Sequence, residues 1–385
     1  MDTTVFNRSD HVLELIAESI GEDPGEIADK LLAQSELRRY VLLETLAETR
    51  GSTVIAAVDR ILARAVALKI HHAQEFFVRR QLMFGNRAMA RVEHPNVVRV
   101  HDLGEHEGWL YSTLELCDTN LHAWAPERPW ADVLERLIEA GRGLQAIHGS
   151  GLVHGDVKPA NILIKGGVAK LGDLDLAAID GGLALWVRGS AGYVAPEVGR
   201  GSTEIASDVF GFACTVWASL YGCPPFGASS GGDGELERLM ELARVGAVRP
   251  VEIGPMTPDL TRSLLPALEP RPEDRMSLAE LLEAIAALLS RLVFVLMFAA
   301  ECAGREMPFI DVVRPPERPG ISSGAETVEF FHEGGAWFSR VLITERRARE
   351  RRVRALPARA KPAEIDLLDW ASDIAREFIA RGIGE

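Results

Sequence analysis

With 385 residues, 47% hydrophobic and 25% charged, the chain can bury a large core, has the length of two or three folding units and lacks the composition of a disordered polymer. Its formal charge of -14 argues against a general nucleic-acid binder, which needs a basic face to neutralise phosphates. Four scattered cysteines, Cys117, Cys214, Cys223 and Cys302, make neither a CxxC metal pattern nor a disulfide framework and fit a reducing cytoplasm.

Residues 1–20 carry Asp2, Asp10, Glu14 and Glu18 and no uninterrupted apolar run, so no secretory signal is expected. Residues 9–39 read as two short helices broken at "GEDPGE", an N-terminal docking element. From Tyr40 the pattern turns to strands in "YVLLETLA", "STVIAAVD" and "RAVALKI". A helix follows around residues 73–92, and "NVVRVHDLGEHEGWLYSTLELC" adds two more strands. Beyond Leu121 the periodicity is helical, at residues 130–149, 203–221, 234–244, 258–268 and 277–300.

The last of these helices opens with the capping-box pattern Ser277 to Glu280. Its apolar run at residues 284–303 is long enough to span a bilayer but holds Arg291 near its middle. A central Arg costs about 2.5–3.5 kcal/mol on insertion, and a span would export the Arg-rich stretch that follows, so a buried helix is expected instead. A Pro-rich linker at residues 307–320, a hairpin within 327–343 and an amphipathic helix marked by Leu367, Ala371, Ile374 and Phe378 complete the chain. The expected segments are a helical extension (1–39), a main domain (40–290) and a C-terminal extension (291–385). The apolar faces of the long helix and the tail are compatible with a homodimer.

The chemistry concentrates in "LVHGDVKPANILIKGGVAKLGDLDLA", residues 152–177. Phosphoryl transfer needs phosphate charge neutralised, a divalent cation on oxygen ligands and a carboxylate to orient the attacking hydroxyl. Asp156 can take the hydroxyl proton, Lys158 can reach the transferred phosphate, and Asn161 with Asp173 can hold a metal. "NILI" and "AKLGD" read as strands that fix both loops.

At these residues the chain resembles the eukaryotic-type protein kinase family, including the Ser/Thr kinases of bacteria. The resemblance covers residues 40 to about 290 and runs in order through "VALK" with Lys69, "HPNVV", "HGDVKPAN", "GDLD", "GYVAPE" with Glu197, "SDVFGF" with Asp208, "CPPF" and "RPEDRMS" with Arg275. It implies an α+β, bilobal fold with a small β-rich N-lobe and a larger α-helical C-lobe. It further implies ATP and Mg²⁺ or Mn²⁺ as cofactors and a protein substrate or regulatory partner. By the same resemblance Lys69 would hold the α- and β-phosphates, Glu197 would pair with Arg275, and Asp208 would fix the catalytic loop. Val54, Ala67 and Leu163 would enclose the adenine, with Leu114 as gatekeeper and Glu115 to Cys117 as the hinge. "DVKPAN" resembles the Ser/Thr-specific form of the loop.

Several positions depart from the family pattern. Ala47, Thr49 and Ser52 stand at the three glycines of the phosphate loop, with Gly51 nearby. Gly85 stands where the family has the helix glutamate that pairs with the strand lysine, leaving Gln81 or a mobile glutamate to substitute. "DLD" replaces DFG, so Asp175 adds a carboxylate that could bind metal or a loop hydrogen bond. Gly155 replaces the loop arginine, and Ser190 and Tyr193 are the only hydroxyls between Asp173 and Glu197, so regulation is expected through the terminal extensions.

The reading is thus a divergent Ser/Thr kinase, with a pseudokinase acting as a nucleotide-binding scaffold or regulator as the alternative. The basic stretch at residues 344–361 is either a solvated helix or linker, or a docking tail for an acidic partner, anionic lipid or the kinase body.

Overall fold

Strand alternation decides which residues of the first lobe face the site. In a strand, successive side chains point to opposite faces. In β3 (Arg64–His71), Val66 and Leu68 therefore join Tyr40, Ala57 and Tyr111 in one cluster. Ala67, on the opposite face, packs with Ala56, Val58 and Leu116. Lys69 and His71 share the face of Ala67. β3 lies between β2 (Ser52–Asp59) and β5 (Trp109–Glu115), in the antiparallel order β1-β2-β3-β5-β4, with β1 at Tyr40–Glu48 and β4 at Val100–His106. One helix, α1 (Phe76–Met89), follows β3. Five strands and one helix are what the sequence pattern predicts.

The computed structural model describes residues 39–49, 51–72, 75–106, 108–183, 189–227, 234–248, 257–304, 320–323, 326–333, 336–347 and 350–382. The helices expected in 9–39 and the linker up to residue 319 lie outside them.

Past β6 (Thr119–Asn120) and the single turn α2 (Leu121–Trp124), the chain becomes helical. α3 (Trp130–Gly149) buries Val133, Leu137, Ala140, Leu144 and Ile147, the spacing of one helical stripe. Short strands carry the loops of the site: β7 (Leu152–Val153) pairs with β10 (Ala178–Ile179), and β6 pairs with β8 (Ile162–Lys165), itself hydrogen-bonded to β9 (Val168–Leu171). A further pair joins β11 (Gly182–Leu183) to β12 (Ser202–Thr203). α4 (Ile205–Tyr221) is apolar on nearly every side, with Phe210, Phe212 and Trp217 fully buried, so it is the central helix of this lobe. α5 (Glu235–Arg244), α6 (Thr257–Leu264) and α7 (Leu278–Gly304) follow. α7 begins with the expected capping box: the Ser277 amide and hydroxyl both donate to Glu280, and the Glu280 amide donates back to the Ser277 hydroxyl.

Two compact units result. The first takes residues 1–250 and 264–282, the second 251–263 and 283–385, so their boundary falls inside α7. The second unit has its own core of Phe294, Phe298, Phe330, Trp370 and Phe378. A sheet β13-β14-β15-β16 (Gly320–Ser323, Glu326–Glu333, Ala336–Arg347, Glu350–Ala355), with β17 (Arg359–Ala360) also on β15, accompanies α8 (Leu367–Gly382). The expected hairpin is β14–β15. The basic stretch, expected as a solvated helix or linker, instead supplies the end of β15, β16 and β17. Pairing such as Thr344 opposite Val353 gives its backbone partners that a linker would lack. Among the described residues no helix is long and apolar enough to cross a membrane.

Candidate active site

The catalytic loop hangs from one buried carboxylate. Asp208, in the first turn of α4, accepts hydrogen bonds from the His154 amide (2.7 Å), the Gly155 amide (2.9 Å) and the His148 ring (2.9 Å). A buried carboxylate is costly unless so satisfied, and the same bonds fix the backbone before Asp156. The His154 ring lies between the Gly172 carbonyl (3.0 Å) and the Asp156 amide (3.3 Å), linking this loop to the one that carries Asp173.

Asp156 is held on both oxygens. Its Oδ2 accepts from Lys158 Nζ (2.7 Å) and Asn161 Nδ2 (3.0 Å), and its Oδ1 from the Ser190 amide (3.1 Å). Lys158 also donates to the Ser190 hydroxyl at 2.5 Å. The structure thus brings together Asp156, Lys158 and Asn161 as expected, and adds His148, His154 and Ser190. The histidines were invisible because their partners are backbone groups and a residue of another helix.

Glu197 and Arg275 form a two-pronged ion pair of 2.5 and 2.7 Å, with both residues buried. Ser207 donates to the same carboxylate, and Arg275 lies over the Phe210 ring, 5.0 Å from its centroid. This is the pairing expected from the sequence.

On the sheet side, Lys69 is buried and donates to two carboxylates, Asp173 at 2.8 Å and Asp175 at 2.7 Å. Burial alone would lower the Lys69 ammonium, but the two carboxylates raise it above its ordinary value. Burial would raise Asp173 too, yet with 38% of its side chain accessible the Lys69 charge prevails and holds it below the usual range. Asp175 is driven upward by burial and by the neighbouring Asp173 charge. The expected substitute for the missing helix glutamate is corrected here. Gln81 donates to the Ala177 carbonyl (2.6 Å), and Lys69 pairs with Asp173 and Asp175 instead. The signal lay in "DLD", whose two carboxylates stand two residues apart.

The adenine side is apolar where expected. Val54, Ala67 and Leu114 pack in one cluster with Leu116, and Ala67 is the register partner of both Ala56 and Leu114. Leu163 sits on β8 beside Gly172, where a Cβ would stand 3.1 Å from a Val98 methyl. Glu115 ends β5, and its carboxylate bridges Lys165 (3.0 Å) and Lys170 (3.1 Å). Burial alone would raise that carboxyl; the two lysines hold it below its ordinary value. Burial pushes the thiol of Cys117, the residue expected in the hinge, up to about 12.

The donor set suits a hard cation. Asn161 spends its amide nitrogen on the Asp156 carbonyl (2.8 Å) and carboxylate, which leaves its oxygen as the ligand atom, and Asp173 supplies an accessible carboxylate. Asp173 itself adopts a left-handed backbone, φ 65°, which Asp tolerates better than most residues. The turn between β1 and β2 is less suited to phosphate. The Gly51 and Ser52 amides both donate to the Thr49 hydroxyl, at 3.2 and 3.0 Å, so the amides that would face phosphate are engaged within the turn.

With this geometry in view, comparison with known proteins is informative. The protein kinase domain matches residues 40–285. The serine/threonine-protein kinase PknB of Mycolicibacterium smegmatis is 33% identical over 264 residues, 63% of this chain and 41% of that protein. PknA of Mycobacterium tuberculosis is 34% identical over 223 residues (53% and 50%), and the DNA damage-responsive kinase RqkA of Deinococcus radiodurans 30% over 258 residues (62% and 37%). The chain spans half or less of the length of these relatives. The matched segment includes every loop described above, from the Thr49 turn to Arg275, and places this chain in the eukaryotic-type Ser/Thr protein kinase family.

Proposed function

We propose that the protein transfers the γ-phosphoryl group of ATP to serine or threonine hydroxyls of a protein substrate. The observation that carries this reading is the state of Asp156. Lys158, Asn161 and the Ser190 amide aim its carboxylate, while the Asp208 bonds fix the loop beneath it. In phosphoryl transfer most of the catalysis comes from positioning and electrostatics, so a pre-aimed carboxylate and lysine are the parts that matter most. Bound Mg²⁺ or Mn²⁺ would neutralise phosphate charge, with Asn161 and Asp173 as its protein ligands. Asp156 would orient the acceptor hydroxyl and take its proton. Lys158 would steady the transferred phosphate, and Lys69 the α- and β-phosphates.

The Thr49-closed turn favours a second reading, a nucleotide-sensing pseudokinase with weak phosphate contacts. Transfer of labelled γ-phosphate from ATP, with Mg²⁺ and separately Mn²⁺, to the protein itself or a generic polypeptide acceptor separates the two. Replacing Asp156 by Asn is expected to lower transfer by about 10²- to 10⁴-fold, the range of a lost general base. ATP binding without transfer by the unmodified protein would favour the scaffold instead.

A further inference from the structure

Three departures from the family pattern, Gly85, Gly155 and Asp175, meet at one place. The 3-10 turn Leu174–Leu176 lies between α1 and the catalytic loop. A Cβ on Gly85 would stand 1.9 Å from the Leu174 carbonyl oxygen and 3.3 Å from the Asp175 Cα. On the other side, a Cβ on Gly155 would lie 2.7 Å from the Leu176 carbonyl oxygen, and Gly155 adopts φ +80°, a conformation that favours glycine. Both glycines make room for the same turn.

We propose that Asp175 is the positioning residue for Lys69, carrying the counter-charge that the family places on the helix, and that Gly85 and Gly155 are the steric half of the same exchange. The inference rests on the kinase reading above. A side chain at 85, glutamate included, would occupy the space of the Leu174 carbonyl. A helix carboxylate there and the present course of the turn are therefore mutually exclusive. Gln81, one turn earlier on α1, supports the arrangement by donating to the Ala177 carbonyl rather than competing for the lysine.

Two carboxylates on one lysine allow a division of labour. Asp173 is the more accessible of the pair, 38% against 22% for Asp175. Asp173 is therefore the carboxylate open to an incoming cation, while Asp175 sits deeper against β3. There its Oδ2 also faces the buried Nδ1 of His71 at 3.6 Å, a ring atom without a hydrogen-bond partner among the described residues. Lys69 is 7% exposed, and a buried ammonium requires a nearby anion. Asp175 supplies one that metal binding at Asp173 leaves in place.

The test uses the full chain in two measurements. In the unliganded protein, thermal midpoints are compared for Lys69→Met, Asp175→Asn and the double variant. The expected result is a double variant that loses clearly less than the sum of the two singles. Additive losses would overturn the pairing. In the transfer assay, Asp175→Asn is expected to lower kcat about 10- to 100-fold, as misplacement of a catalytic group does, with the Mg²⁺ concentration for half-maximal rate unchanged. Asp175→Glu should recover part of that loss. A raised Mg²⁺ requirement with full kcat at saturating metal would make Asp175 a metal ligand and overturn the proposal. Absence of transfer by the unmodified protein would instead remove the kinase reading, and the thermal cycle would still decide whether Asp175 and Lys69 are coupled.

Discussion

The two walls of the active site follow different rules. The catalytic loop keeps Asp156, Lys158 and Asn161 of the family pattern, with Gly155 in place of the arginine, and is held by Asp208 and the His154 ring. The opposite wall, made of the Thr49 turn, α1 and the turn at Leu174, has changed its glycines, and its lysine pairs with two carboxylates of the loop, Asp173 and Asp175. In the proposed transfer Asp156 would act through its own oxygen on a proton, a role that a carboxylate elsewhere could not take. Lys69 needs an anion only at the right distance, and any backbone that delivers one will serve.

The largest effect is expected at the buried Glu197–Arg275 ion pair. Replacing Glu197 by Ala leaves the Arg275 guanidinium buried without its carboxylate, and breaking such a pair costs about 3–5 kcal/mol. Urea denaturation of the two proteins measures it. A loss below about 1 kcal/mol, the scale of an exposed pair, would mean that the fold does not depend on this bridge.

Gly85→Ala probes the rebuilt wall and sets two effects against each other. Alanine gains about 0.8–1.0 kcal/mol of helix propensity over glycine. Its Cβ, however, meets the Leu174 carbonyl oxygen at 1.9 Å, and overpacking of this kind costs about 1–3 kcal/mol. Because the neighbour is backbone and cannot swing away, the clash is expected to win, with a net loss of about 1 kcal/mol and displacement of the turn. A more stable Gly85→Ala protein with intact transfer would show that the close approach carries no weight.

A pH profile tests the same wall through His71. Burial, then the adjacent Lys69 charge, lowers this imidazole to about 4, with Asp173 opposing and His72 adding to the effect. Between that value and the ordinary one near 6.5, the unfolded chain binds a proton that the folded chain refuses. Stability is therefore complete above about pH 6.5 and lost as pH falls toward 4, by about 2 kcal/mol at pH 5. Urea midpoints of the unmodified protein and of His71→Gln should diverge in slope across this window, with the variant flatter. Parallel slopes would place the acid sensitivity elsewhere.

These predictions also mark what sequence could reveal. Asp156, Lys158, Asn161 and Asp208 were legible because their spacing within short motifs reflects their geometry, and α3 runs over the predicted residues 130–149. The Lys69 partner was not, because Asp175 lies 106 residues away and its position depends on empty space beside Gly85 and Gly155. Missing side chains leave no positive signal in a sequence until the neighbour that fills their place is known. The basic stretch failed for a related reason. Its charge density reads as solvated surface, whereas its strand character comes from pairing with β15.

The smallest effect expected lies at the Thr49 turn, and it separates erosion from adaptation. The Thr49 hydroxyl accepts from the Gly51 and Ser52 amides and donates to the Ser52 carbonyl, all at an exposed site. Each such bond contributes about 1 kcal/mol at most in competition with water, so the fold hardly depends on them. A phosphate competes for the same amides. Thr49→Gly should therefore leave the thermal midpoint nearly unchanged while tightening ATP binding about 2- to 10-fold, the return of roughly 1 kcal/mol. If binding weakens instead, the threonine itself contacts the nucleotide, and this wall was rebuilt around phosphate rather than relaxed away from it.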